Sequence, residues 1–220
     1  VKPIGSACNL DCNYCYYRDK SEIYAGVMPR MSEHLLEEYI KQYLQGASQQ
    51  QITFCWHGGE PLLAGIPFYR KAMELQQKYC GDKIIENTLQ TNGVLLNDDW
   101  CSFFKDNNFL VGLSLDGPQD IHDAFRRDCG GAPTFDKVVK AADMMAATGV
   151  QYNLLATVNK RSEGRGAEVY KFLRSLNRYM QFLPVVEYVR QRPGQRPLIV
   201  SPDEEDAVEA PWSVSARGYG

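Results

Sequence analysis

Short runs of β-branched, aromatic and aliphatic residues recur along this chain, separated by stretches with a longer hydrophobic period. "QITFCW" (51 to 56), "IIENTLQ" (84 to 90), "FLVGLSL" (109 to 115), "VQYNLLATV" (150 to 158) and "MQFLPVVEYV" (180 to 189) read as strands. Between them, "SEHLLEEYIKQYL" puts Leu35, Leu36, Tyr39, Ile40, Tyr43 and Leu44 on one face at a period of 3.6, with Ser32 as its cap. "IPFYRKAMELQQKY", "DDWCSFFKD", "TFDKVVKAADMMAATG" and "GAEVYKFLRSL" carry the same kind of pattern, with Asn97 and Thr134 as candidate caps and Gly149 as a stop. "VKPIG" reads as the end of a further strand, which makes six β/α units and suggests that the chain was cut at its start. Alternating strands and helices imply a parallel sheet with right-handed crossovers and active groups at the C-terminal strand ends. The expected fold is therefore α/β, a partial (β/α)6 TIM-like barrel over residues 1 to 189. Residues 190 to 220 are expected to be a linker or the start of a further C-terminal region. There, "RQRPGQRPLIVSPDEEDAVE" is punctuated by proline and glycine, ends in an acidic run, and leads into "APWSVSARGYG", which has no closing element.

Composition narrows the function classes. The chain has 220 residues, 44% of them hydrophobic, enough for one sizeable core without disulfide staples. A formal net charge of -3 and a pI near 5.7 give no global basic field, so no nucleic-acid partner is expected, although Arg190, Arg192 and Arg196 form a local basic stretch. No run has the length of a bilayer span and no signal core follows the N-terminus, so a soluble, cytoplasmic protein with no membrane partner is expected. Seven cysteines, an odd count without regular spacing, point to metal binding or reactivity rather than bridges.

If the strands run parallel, "ACNLDCNYC", "HGGEP", "QTNG" and "SLDGP" share one rim with "TVN" and "PVVE" near the last two strand ends. Glycine, polar and charged residues thus gather at one mouth. Cys8, Cys12 and Cys15 could form a stripe on a short helix, but Asn9, Asp11 and Asn13 are poor helix-interior residues, and a loop that wraps a ligand fits better. Zinc would need a fourth ligand, for which Cys55 or His57 is available. Three thiolates also suit an iron-sulfur cluster that leaves one iron open to a small molecule. In "HGGEP", Gly58 and Gly59 let a ligand approach the backbone, Glu60 supplies a carboxylate for an ammonium group, and Pro61 suits the next helical turn. An ordinary strand-to-helix turn with a surface glutamate is the plainer alternative.

"CNLDCNYCYY" resembles the CxxxCxxC signature of radical S-adenosylmethionine (radical SAM) enzymes, and "GGEP" resembles their motif for the cofactor's amino group. "KPIGSACNLDCNYCYY", "WHGGEPLL", "LQTNGVLL", "SLDGPQDIHDAFR" and "PWSV" are similar to the anaerobic sulfatase-maturating enzymes. The resemblance implies a radical SAM barrel holding a 4Fe-4S cluster and S-adenosyl-L-methionine. It also implies oxidation of a serine or cysteine in an unfolded sulfatase peptide to Cα-formylglycine through a 5'-deoxyadenosyl radical. The implied partners are that peptide and a reductant such as flavodoxin or ferredoxin.

By the same resemblance Cys8, Cys12 and Cys15 hold three irons, and Gly58, Gly59 and Glu60 receive the amino group. Ser114 and Arg126 are candidates for the cofactor's carboxylate, a guanidinium being able to donate two parallel hydrogen bonds. Arg126 could instead make a surface ion pair with Asp123 or Asp128. Asp116 would bind polar cofactor groups or start a turn. Tyr17 resembles a family active-site tyrosine and could equally be packing. His57 stands at the mouth where relatives often carry glutamine. Gln90 and Asn92 could bond a peptide backbone or form a turn, and Glu187 could accept a proton. Cys55, Cys80, Cys101 and Cys129 are expected to be buried, inert thiols. Full-length members of the family continue into a domain with two auxiliary clusters and a carboxylate base, neither of which this sequence contains. The chain is therefore expected to be the core of a longer enzyme. Two other functions remain open: another peptide-modifying radical enzyme, forming a thioether or carbon-carbon bond, and a non-catalytic zinc-binding scaffold.

Overall fold

The computed structural model describes residues 1–17, 29–176, 178–194 and 197–219. Five strands, β1 (Gln51–Trp56), β2 (Ile84–Thr91), β3 (Leu110–Ser114), β4 (Gln151–Val158) and β5 (Met180–Pro184), form one parallel sheet in that order. Helices α1 (Glu33–Gly46), α2 (Ile66–Tyr79), α3 (Asp98–Asp106), α4 (Gln119–Phe125), α5 (Phe135–Thr148) and α6 (Gly166–Ser175) precede and link the strands. The result is a curled half-barrel of the expected class.

No separate strand forms over residues 1 to 5, where the chain turns. Val1 pairs beside β1, where a sixth strand is expected. Its ammonium donates to the Cys55 carbonyl at 2.6 Å and its carbonyl accepts from His57 N at 2.9 Å, the two-bond pattern of a parallel ladder around Trp56.

Local chemistry explains the boundaries. Ser32 caps α1 by accepting from Leu35 N, and Asn97 caps α3 by accepting from Trp100 N. Gly149 ends α5 in the left-handed region at φ 75°. Thr134 makes no side-chain cap for α5. Asp123 takes that task from a distance, its Oδ1 accepting from the amides of Thr134 and Phe135 at 2.9 and 3.0 Å. The buried stripe of α1 is Leu36, Ile40 and Leu44, narrower than the sequence pattern, since Leu35 and Tyr43 are exposed. Alternate residues of β1, Ile52, Phe54 and Trp56, enter a core that α2 and α3 close with Tyr69, Trp100, Phe103 and Phe104.

The run 180 to 189 is not one strand. β5 stops at Pro184, and after a short turn β6 (Tyr188–Arg190) joins a separate antiparallel sheet between β7 (Leu198–Val200) and β8 (Val208–Glu209). A last turn of helix, α7, spans Ala216–Tyr219. Residues 210 to 214 fold back onto the barrel: Lys160 N donates to Trp212 O, and Val214 N to Val185 O, both at 2.9 Å. Within the basic stretch, Arg190 pairs with Glu204 of the acidic run at 2.9 Å, while Arg196 lies outside the described residues. Among the described residues no helix is long and apolar enough to cross a membrane.

Candidate active site

The cysteine segment is a loop, not a helix. One flank is laced to residues 125 to 129: Asp11 N donates to Arg127 O at 2.8 Å, Asn13 N to Phe125 O at 3.1 Å and Cys129 N to Asn9 O at 3.3 Å. The other flank is gripped by the glycine turn, where Gly59 N donates to Gly5 O at 3.0 Å and Glu60 N to Ala7 O at 2.7 Å. That contact is why a glycine stands at 59: a Cβ there would lie 1.9 Å from Ala7 O. Beneath the loop, Leu10, Cys12 and Tyr14 share a small apolar cluster with Val189, Ala210 and Trp212, so the tail supports the site from below.

Cys8, Cys12 and Cys15 face one cavity of about 360 Å³ at the strand ends, together with Tyr17, His57, Gly58, Gly59, Gln90, Asn92, Ser114 and Arg126. A larger groove of about 650 Å³ lies outside the barrel between α2 and α3, lined by Arg70, Glu74, Asp99 and Asp106, and includes none of the residues at the strand ends. The cavity rim also includes Thr157 of "TVN" and Pro184 to Val186 of "PVVE", both expected at this mouth, together with Leu183. Among the described residues no three His, Cys, Asp or Glu side chains converge as ligands of a single ion. Tetrahedral zinc needs all its sulfurs about 2.3 Å from one centre, whereas a cluster takes each thiolate on its own iron. Cys8, Cys12 and Cys15 all line the one cavity, as a cluster held by one thiolate per iron requires. Cys55 is exposed and does not line this cavity, so it supplies no fourth ligand there. Burial pushes the Cys8 and Cys12 thiols up to about 12, so metal uptake must displace their protons.

Arg126 enters this cavity from a buried polar network. Asp116 Oδ2 accepts from Arg126 Nε at 3.0 Å and from the Tyr14 hydroxyl, while its Oδ1 accepts from Thr157 N at 2.9 Å. Arg126 Nη2 donates to Thr157 Oγ1 at 3.2 Å, and its guanidinium lies 5.5 Å from the Tyr14 ring centre. The partner of Arg126 is thus buried Asp116, neither Asp123, which holds the start of α5, nor Asp128, which accepts from the amides of Gly130 and Ala132. Burial opposes ionisation of Asp116, yet the adjacent guanidinium holds its carboxyl below the usual range. His122 closes the network. Its Nδ1 accepts from Asp116 N, so Nε2 carries the proton toward Thr134 Oγ1, whose own hydroxyl donates to Arg126 O. Burial drives the His122 pKa down to about 4 and keeps the ring neutral.

Glu60 is not at the cavity wall. Its side chain is fully buried, Oε1 accepting from Leu62 N and Thr91 Oγ1 and Oε2 from Asn92 N, at 2.8 to 3.0 Å. Burial pushes its carboxyl up to about 7, against the pull of those three donors. Of the glycine turn, Gly58 and Gly59 line the cavity and the Glu60 side chain does not reach it. Ser114 is buried at the end of β3 and lines the cavity, while Asp116 lies behind that wall. Tyr17 Oη sits 3.2 Å from His57 Nδ1, and Lys2 Nζ lies 4.7 Å from the Tyr17 ring centre. Glu187 reaches the rim with Oε2 accepting from the Trp212 indole at 2.6 Å. Of the scattered cysteines only Cys101 is buried; Cys55 and Cys129 are exposed and Cys80 half-buried.

A parallel half-barrel whose strand ends carry three cysteines in a loop, a glycine turn clasping that loop and a buried arginine defines a class. The radical SAM superfamily profile matches residues 3–173, and the chain belongs to that superfamily. It is 41% identical over 222 aligned positions to a serine-type anaerobic sulfatase-maturating enzyme of Bacteroides thetaiotaomicron, covering 100% of this chain and 54% of that enzyme. It is 37% identical over 209 positions to a cysteine-type anaerobic sulfatase-maturating enzyme of Clostridium novyi, covering 93% and 55%. The solved structure of native anSMEcpe with bound AdoMet and Cp18Cys peptide superposes with a TM-score of 0.78 at 37% identity, over 88% of this chain and 52% of that one. The chain spans about half the length of the curated relatives it matches.

Proposed function

We propose that this chain is the catalytic core of an anaerobic sulfatase-maturating enzyme, oxidising a serine or cysteine of an unfolded sulfatase peptide to Cα-formylglycine. The observation that carries the proposal is the single cavity shared by three cysteines, the glycine pair, Ser114 and Arg126. Cys8, Cys12 and Cys15 would hold a 4Fe-4S cluster, with one iron open for S-adenosylmethionine. When bound, the two supply an electron and a carbon-centred hydrogen acceptor.

The residues of the chain bind, orient and shield. Carbonyl oxygens of Gly58 and Gly59 would receive the cofactor's ammonium group, and Arg126 with Ser114 would receive its carboxylate. Asp116 and Thr157 occupy Nε and one edge of the Arg126 guanidinium, so the remaining edge is presented in a fixed plane. Tyr14 stands between Cys12 and Cys15 and bonds Asp116, so cluster loop and carboxylate site move as one unit. Leu183 to Val186 supply the dry edge that shields a reactive intermediate from water. Tyr17 and His57, at the opposite edge, face an incoming peptide. With both bound, the peptide's β-carbon would give up a hydrogen atom, the second electron would pass to an iron-sulfur cluster and the hydroxyl or thiol proton to a base; with cysteine, water would then release the sulfur as hydrogen sulfide. A flavodoxin- or ferredoxin-like reductant supplies the starting electron.

The test is mass spectrometry of a sulfatase-derived peptide after anaerobic incubation of the full-length protein with S-adenosylmethionine and a reductant. An aldehyde at the target serine or cysteine is expected. A thioether or carbon-carbon cross-link would reassign the protein to another peptide-modifying activity, and zinc-loaded protein that leaves the cofactor intact would reduce it to a scaffold.

A further inference from the structure

The Cys8 sulfur is met by two N–H donors from different parts of the chain. Leu10 N lies 3.4 Å from it, as a loop amide following a cysteine often does, and Asn92 Nδ2 reaches it from the end of β2 at 3.7 Å. The orientation of the Asn92 amide is fixed by its neighbours. Asn92 Oδ1 accepts from Val94 N at 3.0 Å, so the opposite, NH2 end must face the cysteine, where its other hydrogen meets Asn9 Oδ1 at 2.8 Å. The backbone of Asn92 is pinned in turn by Glu60, whose Oε2 accepts from Asn92 N at 2.8 Å. The buried glutamate of the glycine turn thus ends, through Asn92, at a cysteine sulfur.

We propose that Asn92 is a positioning residue that tunes the cluster: its side-chain amide donates to the Cys8 sulfur and raises the reduction potential, with Glu60 holding it in place. The inference rests on the assignment of Cys8 as a cluster ligand. Reduction adds negative charge that spreads onto the ligating sulfurs, and an N–H dipole aimed at sulfur stabilises the reduced form more than the oxidised one. A donor fixed by two further hydrogen bonds needs no reorganisation when the electron arrives. Glu60 is oriented to serve this role better than direct cofactor contact, since three donors and complete burial keep its carboxylate from the cavity.

The test uses the full-length protein, reconstituted anaerobically with iron and sulfide, and reads iron content and, by EPR-monitored redox titration, the midpoint potential of the cluster whose signal responds to S-adenosylmethionine. Asn92→Ala removes the donor and keeps the backbone amide that Glu60 holds; Asn92→Asp keeps the volume and also removes the donor. A midpoint of that cluster more negative than wild type in Asn92→Ala, with iron content retained, is the expected result, and a larger drop is expected in Asn92→Asp, where an anion replaces the donor. An unchanged or more positive midpoint in Asn92→Ala overturns the inference and leaves the cluster assignment standing. If both variants lose the responsive signal, Asn92 is a prop for the loop and its tuning role fails. A wild-type protein that takes up no cluster overturns the assignment itself, and this inference with it.

Discussion

Replacing Gly59 by alanine perturbs the seam between the glycine turn and the cysteine loop with a single methyl group. The new Cβ would stand 1.9 Å from Ala7 O, 2.5 Å from Ala7 C and 2.6 Å from Ser6 O, all backbone atoms with no rotamer to yield. Ordinary contact requires the two strands of backbone to part by more than about 1 Å. The bonds from Gly59 N to Gly5 O and Glu60 N to Ala7 O, now 3.0 and 2.7 Å, would then stretch beyond useful length. Two such bonds contribute roughly 1 kcal/mol each, and residual overpacking strain adds about 1–3 kcal/mol, for a total of about 3–5 kcal/mol. Because Ala7 precedes Cys8, the displacement falls on the first sulfur ligand. Denaturant unfolding, iron content after anaerobic reconstitution and S-adenosylmethionine affinity are the measurements. Gly46→Ala is the control, since nothing lies within 4 Å of a Cβ there and a helical glycine gains roughly 0.5–1 kcal/mol on replacement. The expected outcome is a Gly59→Ala protein with its helices intact, lower stability and little cluster. Equal behaviour of the two variants would refute the seam.

Two further outcomes follow from the buried network and one from the tail beneath the cysteine loop. Asp116→Asn leaves Arg126 buried without its counter-charge and should cost about 3–5 kcal/mol of stability; cofactor affinity should fall with it, and calorimetry showing neither change would discount Arg126 as a held ligand. His122 has a pKa of about 4 in the fold against 6.5 for the free side chain, so the unfolded chain binds its proton first as pH falls. Its contribution is complete above pH 6.5 and is lost toward pH 4, by about 3 kcal/mol at 1.36 kcal/mol per unit. His122→Gln should show a flatter pH dependence in denaturant titrations, and parallel curves would contradict it. Trp212→Ala removes an indole that bonds Glu187 and packs under the cysteine loop, so about 3–5 kcal/mol should be lost and iron uptake should weaken; retention of both would detach the tail from the site.

The half-barrel was legible because its signals are local. β1 alternates strictly, Ser32 and Asn97 cap the residues that follow them, and Gly149 needs only its own backbone freedom. The rim could be listed from topology once the strands were parallel, and the three cysteines do share a cavity. What sequence hid was burial and long-range partnership. Glu60 and Asp116 are charged letters that suggest ligand contact, yet both are enclosed by donors contributed from elsewhere in the chain. Thr134 has a capping side chain that is occupied by His122 and Arg126, leaving its task to Asp123. The break after Pro184 was masked by an unbroken apolar run, although proline cannot donate to a ladder and was the available sign. Tyr14 lies inside the cysteine motif, and only the fold reveals that it reaches Asp116.

The central claim is that Cys8, Cys12 and Cys15 hold a cluster with one iron left for the cofactor. EPR of the anaerobically reconstituted, reduced full-length protein, recorded before and after addition of S-adenosylmethionine, tests it most directly. A signal that changes when the cofactor is added, and loss of that responsive signal in Cys12→Ala together with about four irons per chain relative to wild type, are predicted. Absence of any cluster signal that responds to S-adenosylmethionine, or a responsive signal that survives Cys12→Ala, would contradict it.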